Sequence, residues 1–221
     1  KFSSLGPGMA VADLNKDGLQ DFYVGNGYNV KGRIFLQTPN GSFMSKSLED
    51  GEKFEEDTGC IFFDADGDGD EDLLVTSGTN EFEANSKFYL PRLYLNNGRA
   101  NFTRSIVTIP AHLTSVTTVV KSCDFDMDGD HDLFIGGRIA SGKFPAPAPS
   151  YLLQNNKGVF TDVTKDYCPM LSAAGMVTDA EWMDVDGDKL KDLVITGEWM
   201  PIRIFKNQTN SLTEITERSG L

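Results

Sequence analysis

The sequence has few of the residues that build catalytic, redox or zinc sites. Its 221 residues include three cysteines and two histidines. Cys60, Cys123 and Cys168 are too few and too widely spaced for a disulfide framework or a zinc site, so we expect buried thiols. Neither His112 nor His131 lies in a recognisable nucleophile motif, and no phosphate-cradling glycine loop is found. These absences argue against most hydrolases and nucleotide-binding enzymes.

Basic residues and long apolar runs are also scarce. The chain has 20 Lys and Arg against 33 Asp and Glu, which gives a formal net charge of −13. Nucleic acids and anionic membranes bind basic patches, so we expect neither as a partner. No apolar stretch is long enough to span a bilayer. The chain begins with Lys1 and shows no signal peptide, so we interpret it as a processed or excised part of a longer protein.

Four copies of one acidic pattern, Asp-x-(Asp/Asn)-x-Asp-x-x-x-Asp, organise the sequence. They begin at residues 13, 64, 124 and 184, at intervals of 51, 60 and 60 residues. Oxygen donors at positions 1, 3 and 5 can converge on one point when the chain curls tightly. Six to eight oxygens at about 2.3–2.6 Å are the coordination that calcium prefers. The pattern therefore predicts one calcium ion in each loop.

The predicted ligands are the side chains at positions 1, 3, 5 and 9 and the backbone carbonyl at position 7. In chain order they are Asp13, Asn15, Asp17, Leu19 and Asp21; Asp64, Asp66, Asp68, Asp70 and Asp72; Asp124, Asp126, Asp128, Asp130 and Asp132; and Asp184, Asp186, Asp188, Leu190 and Asp192. Position 6 is glycine except in the fourth loop, which has Lys189. A left-handed residue other than glycine costs about 1–2 kcal/mol, so we expect the fourth site to be the weakest.

The first five positions of the pattern would also fit an EF-hand. An EF-hand needs a bidentate Glu at position 12. Position 12 is apolar in all four copies, namely Val24, Val75, Ile135 and Ile195. Position 9 is always Asp, and the short apolar run after it is typical of a strand buried on both faces. Each loop is therefore predicted to join two strands.

This arrangement of strand, aspartate loop and strand resembles the FG-GAP or VCBS repeat, the blade of integrin-α-type β-propellers. The stretch 197–202 is similar to bacterial VCBS proteins that also carry an ASPIC/UnbV region, which is not seen here. The resemblance implies an all-β fold, a β-propeller region over residues 1–221 with four blades of four antiparallel strands. The approximate blade limits are 5–45, 58–105, 116–165 and 176–217. Four blades could close into a ring. The family more often uses about seven or eight blades, so we favour part of a larger propeller, with the remaining blades or an ASPIC/UnbV region outside this chain.

The first strand of each predicted blade comes directly before its acidic loop. These strands are Met9–Ala12, Cys60–Phe63, Val119–Cys123 and Ala180–Met183. In a propeller the acidic loops lie at one end of the blades. The connections from second to third strand, which are long at Thr79–Pro91 and Arg138–Ser150, lie at the other end.

Two function classes follow from the sequence. The first is a non-catalytic calcium-binding module for adhesion, with a protein or carbohydrate ligand, in an extracellular, periplasmic or cell-surface setting. The alternative is a carbohydrate-active enzyme that resembles propeller polysaccharide lyases. We favour the binding module because the paired carboxylates are committed to cations. Loops on a rigid scaffold usually carry the binding residues. The candidate ligand contacts there are Phe88, Tyr89, Arg92, Arg138 and Lys143.

Overall fold

The computed structural model describes residues 6–49, 51–78, 82–105 and 109–220, which form four antiparallel sheets of four strands each. The first sheet contains β1 (Met9–Ala12), β2 (Asp21–Val24), β3 (Arg33–Gln37) and β4 (Phe43–Ser47). The second contains β5 (Asp57–Phe63), β6 (Asp72–Ser77), β7 (Arg92–Asn96) and β8 (Phe102–Arg104). The third contains β9 (Val116–Cys123), β10 (Asp132–Ile139), β11 (Tyr151–Asn156) and β12 (Val159–Asp162). The fourth contains β13 (Met176–Met183), β14 (Asp192–Glu198), β15 (Arg203–Asn207) and β16 (Leu212–Glu214). The predicted all-β class with four-stranded antiparallel sheets is confirmed.

Helical segments are short and lie in the connections between strands. They are α1 (Thr164–Tyr167) and the 3₁₀ segments Lys87–Tyr89, Pro169–Ala173 and Thr216–Ser219. The sequence did not predict α1, because four residues are too few to display a helical period. Within the described ranges, no helix is long and apolar enough to cross a membrane.

The hydrophobic core lies between consecutive sheets. Strand β6 is buried along its whole length, with Leu73 and Val75 packed towards the first sheet and Leu74 towards the third. Strand β10 is buried in the same way between the second and fourth sheets. The apolar runs after the second and third acidic loops are therefore strands covered on both faces, as predicted. Strands β2 and β14 of the outer sheets are less completely buried.

The first strands of the second, third and fourth sheets begin earlier than the sequence predicted. In each of them the pairing with the next strand shifts register, for example between Asp57 and Cys60. A β-bulge of this kind interrupts the alternation of side chains, so the sequence pattern ends at the bulge while the strand continues. These first strands also lie side by side, β1 against β5, β5 against β9 and β9 against β13.

The antiparallel pairing places the acidic loops and the longer connections at opposite ends of the sheets. Each acidic loop joins the first and second strands, and the hairpin between third and fourth strands lies at the same end. The connections from second to third strand lie at the other end, which we call the long-loop end. Thr79, where the first long connection was predicted to start, falls outside the described residues, as do residues 80 and 81.

Candidate metal centres

The last aspartate of each acidic loop holds the loop to the following hairpin. These residues are Asp21, Asp72, Asp132 and Asp192, and all four are fully buried. One carboxylate oxygen accepts the backbone N–H of loop position 2 at 2.9–3.1 Å. The other accepts a backbone N–H at the end of the third strand at 2.7–2.8 Å. The aspartate at position 9 therefore holds the loop in place by hydrogen bonds, in addition to its predicted role as a metal ligand.

The remaining loop positions fold into the same turns in every copy. Position 1 accepts the N–H of position 6, position 3 accepts that of position 5, and position 5 accepts that of position 7. These bonds measure 2.8–3.3 Å. Carboxylate side chains stabilise tight turns in this way. The four loops thus share these three bonds, while position 1 also accepts the N–H of position 5 in the first and third loops and that of position 4 in the second and fourth.

Two positions in each loop have left-handed backbone. Position 6 is left-handed in all four loops, including Lys189 at φ 74° as expected from the sequence. Position 4 is also left-handed, and it is glycine in two loops but Lys16 (φ 58°) and Met127 (φ 65°) in the others. A left-handed position 4 was not predicted, although the glycines at this position in the second and fourth loops indicate it.

Three loops bring carboxylate oxygens of positions 1, 3 and 9 within 4.8 Å of one another. The groups are Asp64, Asp66 and Asp72; Asp124, Asp126 and Asp132; and Asp184, Asp186 and Asp192. Oxygens bound to one cation at about 2.3–2.6 Å are separated by no more than about 5 Å, so this spacing fits a single ion. Hard carboxylate donors without sulfur or imidazole suit calcium better than zinc or copper. Position 5 is not part of these groups.

The first loop has a different donor set. It carries Asn15 at position 3, whose amide Nδ2 donates to Asp17 at 2.9 Å. Two carboxylates, Asp13 and Asp21, and the Asn15 amide oxygen take the places of the three carboxylates in the other loops. Lys16 of this loop forms an ion pair with Asp70 of the second loop at 2.6 Å. This contact connects neighbouring loops.

Burial raises the pKa of Asp72 and Asp132 to about 7, because desolvation outweighs the backbone hydrogen bonds that these carboxylates accept. A cation at the loop would oppose this effect, since an opposite charge within a few ångströms favours the ionised form. A divalent cation at the loop would therefore favour the ionised form of these buried carboxylates.

Neighbouring repeats are joined through these loops. Asn96, Asn155 and Asn207, near the ends of the third strands, each donate a side-chain N–H to the position 2 carbonyl of the preceding loop at 2.8–2.9 Å. The position 2 side chains of the first three loops, including Leu14 and Phe125, are buried in the core between sheets. An ordered loop thus supports the packing of the next sheet.

The Asp132→Asn variant is expected to lose about 1–3 kcal/mol of unfolding free energy in the presence of a chelator. The amide oxygen can replace one carboxylate oxygen, but its NH₂ group then faces the buried N–H of Phe125 or Asn155. Urea unfolding monitored by tryptophan fluorescence measures the change. His131→Ala, at the exposed neighbouring position, is the control and should change stability by less than about 0.5 kcal/mol. Equal stability of the two variants would contradict the structural role of Asp132.

The fourth loop has a lysine beside its carboxylates. Lys206 of β15 forms ion pairs with Asp186 and with Asp188, the latter at 3.0 Å. Hydrogen bonds from the Leu190 backbone and the Lys206 ammonium lower the pKa of Asp188. The contact of Lys206 was not predicted, because this residue lies outside the loop motif, 14 positions beyond Asp192.

Both arginines that were predicted to contact a ligand form buried ion pairs. Arg92 pairs with Asp57 and lies 3.7 Å from Glu49, and its side chain is 1% exposed. Arg138 pairs with Glu198 at 2.6 Å and its side chain is 8% exposed. The Arg92–Asp57 pair joins β7 to β5 within the second sheet, and the Arg138–Glu198 pair joins the third sheet to the fourth, both at the long-loop end.

The other three predicted contacts differ in exposure. Tyr89 is fully buried, and its hydroxyl donates to the Phe82 carbonyl at 2.6 Å and lies 3.2 Å from the Ser141 hydroxyl. Phe88 is half-buried and Lys143 is exposed. Of the five predicted residues, Phe88 and Lys143 are therefore the ones at the surface.

Aromatic side chains gather at the long-loop end, and most of them were not identified from the sequence. Tyr28 contacts Phe54 and Phe82, which in turn lies 4.7 Å from Phe88 between ring centroids. Farther along, Phe144 lies 5.4 Å from Trp199. These residues come from all four connections between second and third strands, with Phe54 added from the loop before β5. We call them the aromatic surface: Tyr28, Phe54, Phe82, Phe88, Phe144 and Trp199.

The cysteines are free thiols; Cys168 is buried as expected, whereas Cys60 and Cys123 are partly buried. Burial raises the pKa of Cys60 and Cys123 to about 12, so both stay protonated at neutral pH.

Comparison with solved structures finds similar folds at low identity. The structure of an Agrocybe aegerita lectin that recognises non-reducing terminal N-acetylglucosamine superimposes with a TM-score of 0.57 at 19% identity. The match covers 91% of this chain and 49% of the lectin, so this chain spans about half the lectin's length. The V. cholerae biofilm matrix protein Bap1 matches with a TM-score of 0.44 at 15% identity, over 94% of this chain and 30% of that one. No curated protein matches the sequence significantly.

Comparison with family models identifies the repeats themselves. The model described as FG-GAP-like repeat matches three overlapping segments, residues 13–75, 64–135 and 124–195. Each match begins at the first aspartate of one acidic loop and ends three residues after the next loop, where the following strand runs. Since the matches together extend over most of the 221 residues, the chain belongs to the FG-GAP-like repeat family.

Proposed function

We propose that this protein is a non-catalytic, calcium-stabilised β-propeller module that binds a protein or carbohydrate ligand outside the cell. The observation that carries the proposal is the grouping of carboxylate oxygens within 4.8 Å at the same positions of three loops. Like charges held this close repel one another unless a cation lies among them. Calcium sites of extracellular modules have Kd values of roughly 10⁻⁴–10⁻³ M, which suits a calcium-rich exterior.

In each occupied loop the ion would be held by the side chains at positions 1, 3, 5 and 9 and by the position 7 carbonyl. The second and third loops have the complete set of carboxylates, from Asp64 to Asp72 and from Asp124 to Asp132. The first loop offers the same positions with Asn15 as a neutral oxygen donor. The position 2 carbonyl of each of the first three loops accepts a hydrogen bond from an asparagine of the next repeat. Bound calcium would order the loop and so stabilise the packing between sheets.

The propeller interpretation is supported by the order of the sheets. Their first strands lie next to one another in sequence order, and each core cluster combines two consecutive sheets. This is the arrangement that blades have around a propeller axis. We propose that residues 1–221 are consecutive blades of a propeller of about seven or eight blades. The similarity to VCBS proteins with an ASPIC/UnbV region stays a prediction.

The aromatic surface is the part of the long-loop end that we propose for ligand contact. Trp199 is 78% exposed, Tyr28 is 49% exposed and Phe144 is 45% exposed. Exposed aromatic side chains are enriched at binding interfaces because they supply contact area at a low entropic cost. Phe88 belongs to this surface and Lys143 lies next to Phe144, so both predicted residues remain candidates.

A binding module is favoured over a polysaccharide lyase by the state of the arginines. A lyase that acts on an acidic polymer needs basic groups free to contact the substrate. Arg92 and Arg138 are instead buried and paired with Asp57 and Glu198. We therefore propose a glycan as the first ligand class to test, the class that the similar lectin recognises.

Replacing both Tyr28 and Trp199 with alanine is expected to abolish binding to the glycan that the wild-type protein retains on an array in millimolar calcium. The two substitutions remove exposed rings at the long-loop end and leave the acidic loops unchanged. Val159→Ala, an exposed apolar position near the hairpin at the other end, is the matched control and should bind as the wild type does. Full binding by the double variant, together with loss of binding in Val159→Ala, would place the ligand at the acidic-loop end instead.

A further inference from the structure

The four third strands place different residues beside the acidic loops. The relevant position comes directly before the residue whose N–H binds the position 9 aspartate, and it is Leu36, Leu95, Gln154 and Lys206 in the four repeats. In the third repeat, the Gln154 amide donates to the position 3 carboxylate, Asp126, at 2.5 Å. In the fourth repeat, the Lys206 ammonium reaches the equivalent carboxylate, Asp186, and also Asp188. In the third and fourth repeats, the side chain at this position therefore contacts the carboxylate at position 3 of its own loop.

We infer that the Lys206 ammonium takes the place of a divalent cation in the fourth loop, so that this loop is neutralised from within and the protein binds calcium only in its first three loops. The inference rests on the proposed calcium function. Asp186 is one of the three carboxylates that the fourth loop brings together, and Lys206 already occupies its Oδ2. A calcium ion bound at the same oxygen would lie within a few ångströms of a positive charge, which opposes its binding.

Other charges around the fourth loop act in the same direction. Lys189 and Lys191 lie at positions 6 and 8, where the second and third loops have no lysine. Position 7 is Leu190, where those loops have Asp70 and Asp130. The fourth loop thus has fewer negative and more positive groups than the second and third, while its backbone bonds are the same. Its conformation is retained with an ammonium in place of a metal ion.

Calcium stoichiometry tests this inference, measured by equilibrium dialysis of the whole chain with ⁴⁵Ca. The wild-type protein is expected to bind three ions, and Lys206→Gln, which copies the third repeat, is expected to bind four. The added site should be at least tenfold tighter in the variant than any fourth site in the wild type. Lys189→Gly is the matched control, since it relieves the left-handed backbone and removes one nearby positive charge but leaves the Lys206 ammonium on Asp186, and it should still bind three.

The reciprocal substitution Gln154→Lys should lower the stoichiometry of the wild type by one, because it places an ammonium beside Asp126 of the third loop. Four ions in the wild type, or no gain in Lys206→Gln, would overturn the inference while leaving the calcium function intact. A wild-type protein that binds no calcium would overturn both. Circular dichroism of each variant checks that the sheets are formed.

Discussion

Removing calcium with a chelator is expected to lower the free energy of unfolding by about 2.7 kcal/mol for each site that was filled at a hundredfold excess over its Kd. Three independent sites would together contribute about 8 kcal/mol, which is comparable with the whole stability of a typical domain. The reason is that carboxylates within 4.8 Å of one another repel when no cation lies among them. With a Kd of about 10⁻⁴ M, the hundredfold excess needs about 10 mM calcium, and the melting temperature in EDTA should fall far below that in about 10 mM calcium.

Magnesium provides the control for this effect. Magnesium is smaller than calcium, requires octahedral coordination and loses its bound waters less readily. An equal concentration of magnesium should therefore restore much less stability than calcium. Scanning calorimetry in calcium, in EDTA and in EDTA with excess magnesium separates the three conditions. Identical melting in calcium and in EDTA would contradict the stabilising role of the loops.

The Asp57→Ala variant is expected to lose about 3–5 kcal/mol of unfolding free energy, because it removes the buried carboxylate that two buried cations share. Asp57 pairs with Arg92 and with Lys53, the latter at 3.0 Å, and all three side chains are at most 1% exposed. The carboxylate also accepts the Tyr23 hydroxyl at 3.0 Å and the Asn26 N–H at 2.8 Å. Burial already lowers the pKa of Lys53, so loss of the aspartate would further disfavour its charged form.

Glu181→Ala is the matched control for the Asp57 variant. Glu181 pairs with Lys121 at 2.9 Å, but it is 58% exposed. Such surface pairs contribute less than about 1 kcal/mol. Denaturant unfolding in saturating calcium keeps the acidic loops occupied in both variants. A loss in Asp57→Ala no larger than that in Glu181→Ala would show that the buried charges find other partners.

The acidic loops and the four sheets were predictable because their signals are local and repeated. A fixed spacing of aspartates, followed by an apolar run, predicts a turn and a strand without knowledge of the rest of the chain. Four copies in one register made the strand order predictable as well, and the structure confirms it from β1 to β16. The bulges in the first strands were not predictable, because they depend on how one strand pairs with the next.

The environment of the charged residues at the long-loop end could not be predicted in this way. Arg92 meets Asp57 across 35 positions of sequence, and Arg138 meets Glu198 across 60. A single sequence does not show which acidic residue will face a given arginine, so both arginines were interpreted as available for a ligand. The contact of Lys206 with the fourth loop is also set by the pairing of β14 with β15. Contacts between charged residues that are distant in sequence can therefore be identified only in the structure.

Anomalous scattering from crystals grown in calcium tests the central claim most directly. Calcium in the acidic loops predicts anomalous difference peaks among Asp64, Asp66 and Asp72 and among Asp124, Asp126 and Asp132, each about 2.3–2.6 Å from carboxylate oxygens. A weaker peak is expected in the first loop, beside Asn15, and none at Lys206 in the fourth. The absence of a peak from both the second and the third loop, in crystals grown with millimolar calcium, would contradict the proposal that this is a calcium-stabilised module.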